Sequence, residues 1–270
     1  MRPGQPGYSK LTAPPPDYSI PLDGGYFKVL RQGKKDGLCW KLFERQIDGA
    51  TTKFWYRPGT SDEGVMKENL VTRIYRNSQK KIDVLPDQMW LDLGANIGAF
   101  ALYCWLHRCY VRCYEPVNSC YAILERNIEG MIGSKCYHTA VTASTDPMLT
   151  FYGAKSGSDY QRGTIHPTRQ VIGELRNRHI SSISPKKYDG VKMDIEGSEF
   201  GILDAKLLPP CDILLMEYHI TKDKSMVNFR KRMKYLRTLF SLVTYPGRLD
   251  KPYPDDTYPG WFDRMVRCRN

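Results

Sequence analysis

The 270-residue sequence lacks the features of several protein classes. No apolar run approaches the roughly 20 residues that a membrane-spanning helix needs. No continuous apolar segment near the first residue has the character of a signal peptide. From these two absences we expect a cytoplasmic protein. The chain is long enough to bury one large core, and its 41% hydrophobic and 26% charged residues are ordinary for a globular domain.

Cysteine pairs of the CxxC type are also absent, although the chain has eight cysteines. Two of them, Cys109 and Cys113, lie in the apolar stretch "CYVRC". A zinc site would need two close pairs separated by turn residues. We therefore interpret the cysteines as buried free thiols that act as small apolar residues.

Acidic residues are the minority among the charged ones. The chain has 29 Asp and Glu against 40 Lys and Arg, and its net charge is +11. This charge permits an anionic partner, such as a nucleic acid, a nucleotide-linked substrate or a membrane surface, but does not choose among them. Five basic residues fall on one predicted helix, where the simplest interpretation is a solvated face: Arg230, Lys231, Arg232, Lys234 and Arg237.

The N-terminal part of the chain divides into two segments. Residues 1–25 are rich in Pro and Gly without periodicity, which predicts a flexible arm. Residues 26–85 hold two predicted strands, "YFKVLRQ" and "TTKFWYRP", with a polar turn region between them. A helix over "TSDEGVMKENLVTRIYRNS" follows, with Thr60 and Glu63 as a capping box. We expect residues 26–85 to pack on a core domain of residues 86–270.

Strand and helix patterns alternate in the core domain. The predicted strands are "MWLDL", "CYVRCYE", "KCYHTAV", "DGVKMDI" and "DILLMEYHI", and their near-continuous apolar character is typical of parallel strands covered on both faces. Two final strands, "LFSLVTY" and "WFDRMVRCR", flank a Pro-rich loop, 246–260, that makes a poor crossover helix. The pattern predicts a doubly wound α/β sheet, mostly parallel, with an antiparallel C-terminal edge pair. Ligands of such sheets bind beyond the carboxyl ends of the strands.

The stretch "WLDLGANIGAFALYC" reads as a strand, a tight turn and a helix. Gly94, Ala95 and Gly98 would let a ligand approach the turn closely, although their spacing is not the G-x-G-x-x-G of dinucleotide sites. Asp92 is well placed beside a cationic group. Glu115, 21 residues after Gly94, is placed to bind ribose hydroxyls. Together they describe a phosphate-free nucleoside with an ammonium or sulfonium group, and S-adenosylmethionine is the common cofactor of that kind. The alternative is that the glycines only permit close helix–strand packing.

Four segments give the sequence a family resemblance: "LDLGANIGAFAL", "YEPVNSCYAILERNI", "VKMDIEGSEFGIL" and "LLMEYHI". They resemble the FkbM family of S-adenosylmethionine-dependent methyltransferases, over residues 54–220. The resemblance implies a Rossmann-like methyltransferase sheet and O-methylation, commonly of sugar hydroxyls in glycans and natural products. It also implies roles for individual residues. Asp92, Gly94, Asn96 and Gly98 would surround the methionine part of the cofactor, Glu115 the ribose, and Ala140 and Val141 the adenine.

Three residues at strand ends are candidates for the chemistry. A hydroxyl is a weak nucleophile while protonated, so methyl transfer needs an aligned acceptor and a group that removes its proton. His219 is the candidate base, because its ordinary pKa near 6.5 suits that role. Glu217, on the same face of the strand, would orient the imidazole or bind an acceptor hydroxyl, and Asp194 is the rival base. A purely structural histidine is the alternative.

Acidic residues near Asp194 raise the question of a metal. Glu196 and Glu199 lie at the start of a predicted helix, where carboxylates are favoured by the positive helix end. A Mg²⁺ site formed with Asp194 is the less favoured alternative, because sequence cannot display convergent oxygens.

The sequence thus predicts an S-adenosylmethionine-dependent O-methyltransferase that acts on a sugar or glycan hydroxyl. One alternative is an RNA ribose or cap methyltransferase, which would explain the positive charge. That class relies on a Lys–Asp–Lys–Glu set, and Glu217 and His219 occupy the strand end where it needs a lysine. The other alternative is a cofactor-binding interaction module without catalysis.

Overall fold

The structure is a computed structural model. It describes residues 27–72, 83–152, 165, 171–183, 187–219, 225–244 and 264–270. The predicted arm, 1–25, lies outside the described residues, and the division at residue 85 stays a prediction. Among the helices that the structure describes, none combines the length and hydrophobicity needed to span a bilayer.

A three-stranded antiparallel sheet opens the described chain. Its strands follow one another in order: β1 (Phe27–Lys35), β2 (Leu38–Arg45) and β3 (Thr51–Tyr56). β2 was not predicted, since it lies in the region interpreted as a polar turn. The missed signal is the Asp36–Gly37 pair, which has positive φ angles of 54° and 76° and forms a two-residue hairpin turn between β1 and β2.

The helix after this sheet is shorter than predicted and capped differently. α1 spans Asp62–Lys67 and continues as a π-helical turn over Glu68–Thr72. Ser61 is the N-cap residue, and the Thr60 hydroxyl accepts a hydrogen bond from the Asp62 backbone N–H at 3.2 Å. The capping box predicted for Thr60 and Glu63 is therefore wrong, because the helix begins one residue later than that motif requires.

The central sheet confirms the predicted fold class. Its order is β12-β13-β11-β10-β4-β5-β6, and only β13 runs antiparallel to its neighbours. β13 lies between β11 and β12, so the predicted antiparallel pair is present with its second member inside the sheet. The strands are β4 (Met89–Leu93), β5 (Tyr110–Tyr114), β6 (Lys135–Tyr137), β10 (Tyr188–Met193), β11 (Cys211–Tyr218), β12 (Leu242–Thr244) and β13 (Arg264–Arg269).

A second small sheet comes between β6 and β10. It contains β7 (Ala140–Thr142), β8 (Met148–Tyr152) and β9 (Val171–His179), in the order β7-β9-β8. The sequence "KCYHTAV" was predicted as one strand, but it divides into β6 and β7 in different sheets. The break is a tight turn in which the Thr139 backbone N–H donates to the Tyr137 carbonyl at 3.0 Å.

Helices cover both faces of the central sheet, as the apolar strands require. They are α2 (Ala99–Leu106), α3 (Asn118–Ile128), α4 (Glu199–Asp204) and α5 (Met226–Leu239). Neighbouring residues of β4 pack into two different hydrophobic clusters. Trp90 packs with α2 and α3, and Leu91 and Leu93 pack with α4 and α5. All eight cysteines are described as free thiols and seven are buried, which confirms their prediction as small apolar residues.

Asn127 joins the N-terminal sheet to the core. Its buried side chain accepts a hydrogen bond from the Trp55 backbone N–H at 2.6 Å and donates to the Trp55 and Ile97 carbonyls at 3.0 and 2.8 Å. One amide thus connects β3, α3 and the turn before α2. Because each partner is a backbone group, the connection fixes the position of the strand itself.

Arg232 is an exception to the solvated basic face predicted for α5. Its side chain is buried, donates to both carboxylate oxygens of Asp204 at 2.9 and 2.6 Å and to the Tyr218 hydroxyl, and lies 4.6 Å from the centre of the Phe200 ring. The remaining basic residues of the helix are exposed. Arg232 therefore ties α5 to α4 and β11.

We expect Arg232→Leu to lower the free energy of unfolding by about 2 kcal/mol, because several charge-assisted hydrogen bonds are lost. The control Lys234→Gln, on the exposed side of the same helix, should change it by less than about 0.5 kcal/mol. Urea denaturation followed by circular dichroism measures both. Equal effects of the two substitutions would contradict the structural role of Arg232.

Candidate active site

The turn after β4 is built from residues with left-handed backbone conformations. Gly94, Asn96 and Gly98 have φ angles of 78°, 51° and 89°. The backbone N–H groups of Gly94 and Ala95 both donate to the Tyr114 carbonyl at 3.0 Å. The turn is therefore fixed to the end of β5, and Gly98 is the N-cap residue of α2.

Glu115 closes this turn from the end of β5. One carboxylate oxygen accepts from the Asn96 backbone N–H, and the other from the Val117 backbone N–H, each at 2.8 Å. Burial raises the pKa of Glu115 to about 7, although both hydrogen bonds oppose the rise. Because a carboxylate oxygen can accept more than one hydrogen bond, Glu115 retains acceptor capacity for a ligand.

Asp92 lies beneath the turn and is fully buried. It faces Lys192 on the neighbouring strand β10, and the Lys192 Nζ lies 3.2 Å from its Oδ1. The same ammonium donates to the Gly94 carbonyl at 2.7 Å and lies 3.7 Å from Asp194 Oδ2. Asp92 has no exposed surface and is joined to the turn through Lys192, and its direct contact with the cofactor stays a prediction.

Gly94 is required by the chain's own backbone. A Cβ atom at this position would lie 1.8 Å from the Asp194 carbonyl oxygen. The backbone therefore requires a glycine at this position, whether or not a ligand also approaches the turn. At Gly98 a Cβ atom would lie 2.8 Å from a methyl group of Leu124, so both glycines permit the close packing that the sequence offered as an alternative.

His219 forms a buried pair with Glu199. The Glu199 Oε1 lies 2.8 Å from His219 Nδ1 and accepts a hydrogen bond from the His219 backbone N–H at 3.0 Å. Glu199 has no exposed surface, and His219 is 3% exposed. Glu199 therefore fixes the imidazole ring and leaves its Nε2 atom pointing to the other side.

The Nε2 side of the ring faces the predicted catalytic carboxylates. Nε2 lies 3.7 Å from Asp194 Oδ1 and 3.7 Å from Glu196 Oε2. One oxygen of Asp194, one of Glu217 and a nitrogen of His219 all lie within 4.8 Å of one another. The structure thus brings together the three residues that the sequence named as catalytic, at the ends of β10 and β11.

The surroundings of His219 shift its pKa in opposite directions. Burial lowers the pKa of the imidazole, but the carboxylates of Glu199, Glu196 and Asp194 raise it, to about 10. The carboxylates thus move the pKa above the ordinary value near 6.5, and the role of His219 as the base stays a prediction.

The sequence analysis did not identify Lys192 as the buried partner of Asp92, or Glu199 as the buried partner of His219. The lysine had a readable signal, since a charge inside the apolar strand "VKMDI" needs a buried partner.

Ala140 and Val141 are buried in β7, beside Asn177 and Arg178 of β9. Their contact with adenine stays a prediction.

We expect Gly94→Ala to abolish the folded state or to destabilise it strongly, because its Cβ would overlap a backbone carbonyl and its φ angle is 78°. The matched control is Gly64→Ala in α1, where a Cβ atom has nothing within 4 Å. This control should keep or raise the stability by up to about 1 kcal/mol. Thermal unfolding compares the two. A Gly94→Ala protein that melts like the wild type would contradict the close approach.

The chain was compared with known families and structures. A family model described as the methyltransferase FkbM domain matches residues 92–242, and no curated protein matches. Similar solved structures include TYW2 from M. jannaschii in complex with AdoMet, with 14% identity, 90% of this chain and 88% of that chain covered, and a TM-score of 0.43. Another is fibrillarin from Aeropyrum pernix with natively bound S-adenosyl-L-methionine. The identity is 11%, the match covers 89% of this chain and 99% of that chain, and the TM-score is 0.39.

The family match spans the elements that form the candidate site. Residues 92–242 begin at the buried aspartate of β4 and include the turn, Glu115, Asp194, Glu217 and His219. They make up more than half of the chain. The chain therefore belongs to the FkbM family of S-adenosylmethionine-dependent methyltransferases.

Proposed function

We propose that this protein transfers the methyl group of S-adenosylmethionine to a hydroxyl group of a sugar or glycan. The observation that carries the proposal is the cluster of Asp194, Glu217 and His219. It lies at the carboxyl ends of β10 and β11, and β10 is the direct neighbour of β4, which leads into the cofactor turn. The acceptor would therefore meet this cluster beside the methyl group.

The residues around the turn fit the cofactor. Glu115 offers acceptor atoms to the ribose hydroxyls at the end of β5, and Gly94 and Ala95 bring no large side chain to the start of the turn. The sulfonium and ammonium groups of the cofactor are cations, and Asp194 and Glu196 place carboxylates beside the turn, with side chains 28% and 31% exposed. When bound, the cofactor supplies an electrophilic methyl group.

The chain's own residues then have to align the acceptor and assist the loss of its proton. In-line transfer depends on the angle between oxygen, methyl carbon and sulfur, so the acceptor must be held from more than one side. Asp194 and Glu217 accept hydrogen bonds from hydroxyl groups, and His219 is held rigidly by Glu199. We assign all three as catalytic residues, with the proton leaving the acceptor at this cluster.

The charge of the cluster favours a hydroxyl-rich acceptor over RNA. Asp194, Glu196 and Glu217 are carboxylates, and a phosphodiester brought among them without a cation would be repelled. Sugar hydroxyls are instead good donors to carboxylates. The strand end that an RNA ribose methyltransferase would occupy with a lysine holds Glu217 and His219. Lys222 and Lys224, which the sequence places nearby, lie outside the described residues.

Cofactor binding should depend on pH through Glu115. Its pKa of about 7 is that of a buried acid, and only the deprotonated form can accept hydrogen bonds from ribose at both oxygens. Affinity for S-adenosylhomocysteine should therefore rise from about pH 6 to about pH 8, and Glu115→Gln should remove most of this rise. Calorimetry across this range measures both. A pH-independent affinity in the wild type would contradict the assignment of Glu115.

The acceptor class is tested by incubating the protein with methyl-labelled cofactor and separate glycan and RNA fractions. We expect label in the glycan fraction. Asp194→Asn should reduce the single-turnover rate by roughly 100-fold or more and also weaken cofactor binding, because Asp194 is one of the carboxylates beside the cofactor turn. Glu129→Gln, at the exposed end of α3, should keep the wild-type rate.

Other outcomes would separate the alternatives. Label that appears in RNA alone would favour the ribose methyltransferase. Cofactor binding without label in either fraction would favour the interaction module. An Asp194→Asn protein with a normal rate would remove Asp194 from the chemistry.

A further inference from the structure

We propose that Asp194, Glu217 and His219 form a binding site for a divalent cation of the Mn²⁺ or Mg²⁺ type, and that this cation activates the acceptor hydroxyl. The inference rests on the proposed function for its catalytic part only. The site itself follows from the positions of the three side chains. Its ligands differ from those of the Mg²⁺ alternative raised by the sequence, which joined Asp194 to Glu196 or Glu199. Glu199 is turned toward His219 Nδ1, and Glu217 and His219 were not part of that alternative.

The spacing of the three side chains fits one cation. Their candidate ligand atoms lie within 4.8 Å of one another. An octahedral ion with bonds of about 2.1 Å holds pairs of ligand atoms about 3.0 to 4.2 Å apart. The largest separation in the cluster exceeds the octahedral range by about 0.6 Å, so the side chains have to close by at least that amount around an ion. The ligands come from the ends of two hydrogen-bonded strands, which sets their separation before any ion arrives.

His219 provides the second, independent observation. Its side chain is 3% exposed, and its Nδ1 atom is occupied by the buried carboxylate of Glu199 at 2.8 Å. Within the described residues, Nε2 makes no hydrogen bond; oxygens of Asp194 and Glu196 lie 3.7 Å away. A buried carboxylate on one ring nitrogen, with the other nitrogen directed at further ligands, is the usual arrangement of a metal-binding histidine.

The donor set selects the kind of cation. Two carboxylates supply the hard oxygen ligands that suit Mg²⁺ and Mn²⁺, and one imidazole adds a nitrogen ligand of the kind that Fe²⁺ and Zn²⁺ also bind. Among the described residues, the group of candidate ligands contains no cysteine, so no thiolate joins the set. Three protein ligands leave positions open for water and for the acceptor oxygen.

The reaction at such a site is balanced without any redox partner. The cation binds the acceptor oxygen and makes its proton more acidic, and the proton passes to water. An electron pair of the oxygen then forms the new O–C bond as the C–S bond of the cofactor breaks, and the electrons of that bond stay on sulfur. The products are a methyl ether, S-adenosylhomocysteine and a released proton.

The first test measures Mn²⁺ binding directly in the full-length protein, by the loss of the electron paramagnetic resonance signal of free Mn²⁺. We expect a single saturable site, with nitrogen coupling from one imidazole in the bound spectrum. His219→Asn should remove this coupling. Asp194→Asn and Glu217→Gln should each weaken binding by at least about tenfold, and Glu199→Gln, through the positioning of His219, by about 10- to 100-fold.

The same Mn²⁺-binding measurement includes a control variant and defines the outcome that would overturn the inference. Glu129→Gln should bind Mn²⁺ like the wild type, and circular dichroism shows whether each variant is folded. Glu217, at the partly exposed end of β11, gives a variant that tests the site even if His219→Asn does not fold. Absence of saturable Mn²⁺ binding, or binding that is unchanged in Asp194→Asn and Glu217→Gln, would overturn the inference.

A second measurement separates this inference from the proposed function. Methyl transfer to glycans should be lost with a chelator and restored by Mn²⁺ or Mg²⁺. Transfer to glycans that continues in chelator would overturn the catalytic role of the cation and leave the proposed function standing. Mn²⁺ bound through His219 in a protein that labels only RNA would support the site and contradict the sugar acceptor.

Discussion

The ion pair between Lys192 and Asp92 organises the candidate site. Both side chains are buried, and they face each other on adjacent strands at the centre of the sheet. The ammonium of Lys192 also holds the Gly94 carbonyl and lies near Asp194. Removal of one partner of a buried ion pair leaves the other charge uncompensated, which costs about 3 to 5 kcal/mol. This one contact therefore supports the cofactor turn, the end of β10 and the core below them.

Features with a strong local pattern could be predicted from the sequence. The parallel strands are apolar runs, and their ends placed Asp194, Glu217 and His219 at one edge of the sheet, where the structure has them. β2 and the β8–β9 pair were missed because their half-exposed residues alternate only weakly between polar and apolar. The pair of Glu199 and His219 was also missed, since nothing in a sequence shows which carboxylate a histidine will face.

Residue type alone did not reveal which group approaches Gly94. A glycine at a strand end is equally required by a ligand and by a neighbouring carbonyl, and the nearest group here is the Asp194 carbonyl. Arg232 shows the same limit, because its position within a basic run predicts a solvated side chain. Its partners, Asp204 and Tyr218, belong to elements brought together only by the packing of α5.

The pairing of β4 with β10 has a consequence for the folding kinetics of the chain. Trp90 and Gly190, which are register partners, lie 100 residues apart in the sequence, and such distant pairings slow the search for the native topology. The turn and the acidic cluster cannot exist before this pairing is made. A ligand that binds only the finished site cannot stabilise an earlier transition state, so it should slow unfolding without accelerating folding. A bound ligand would then extend the lifetime of the folded protein, but it would not speed the folding of a newly made chain.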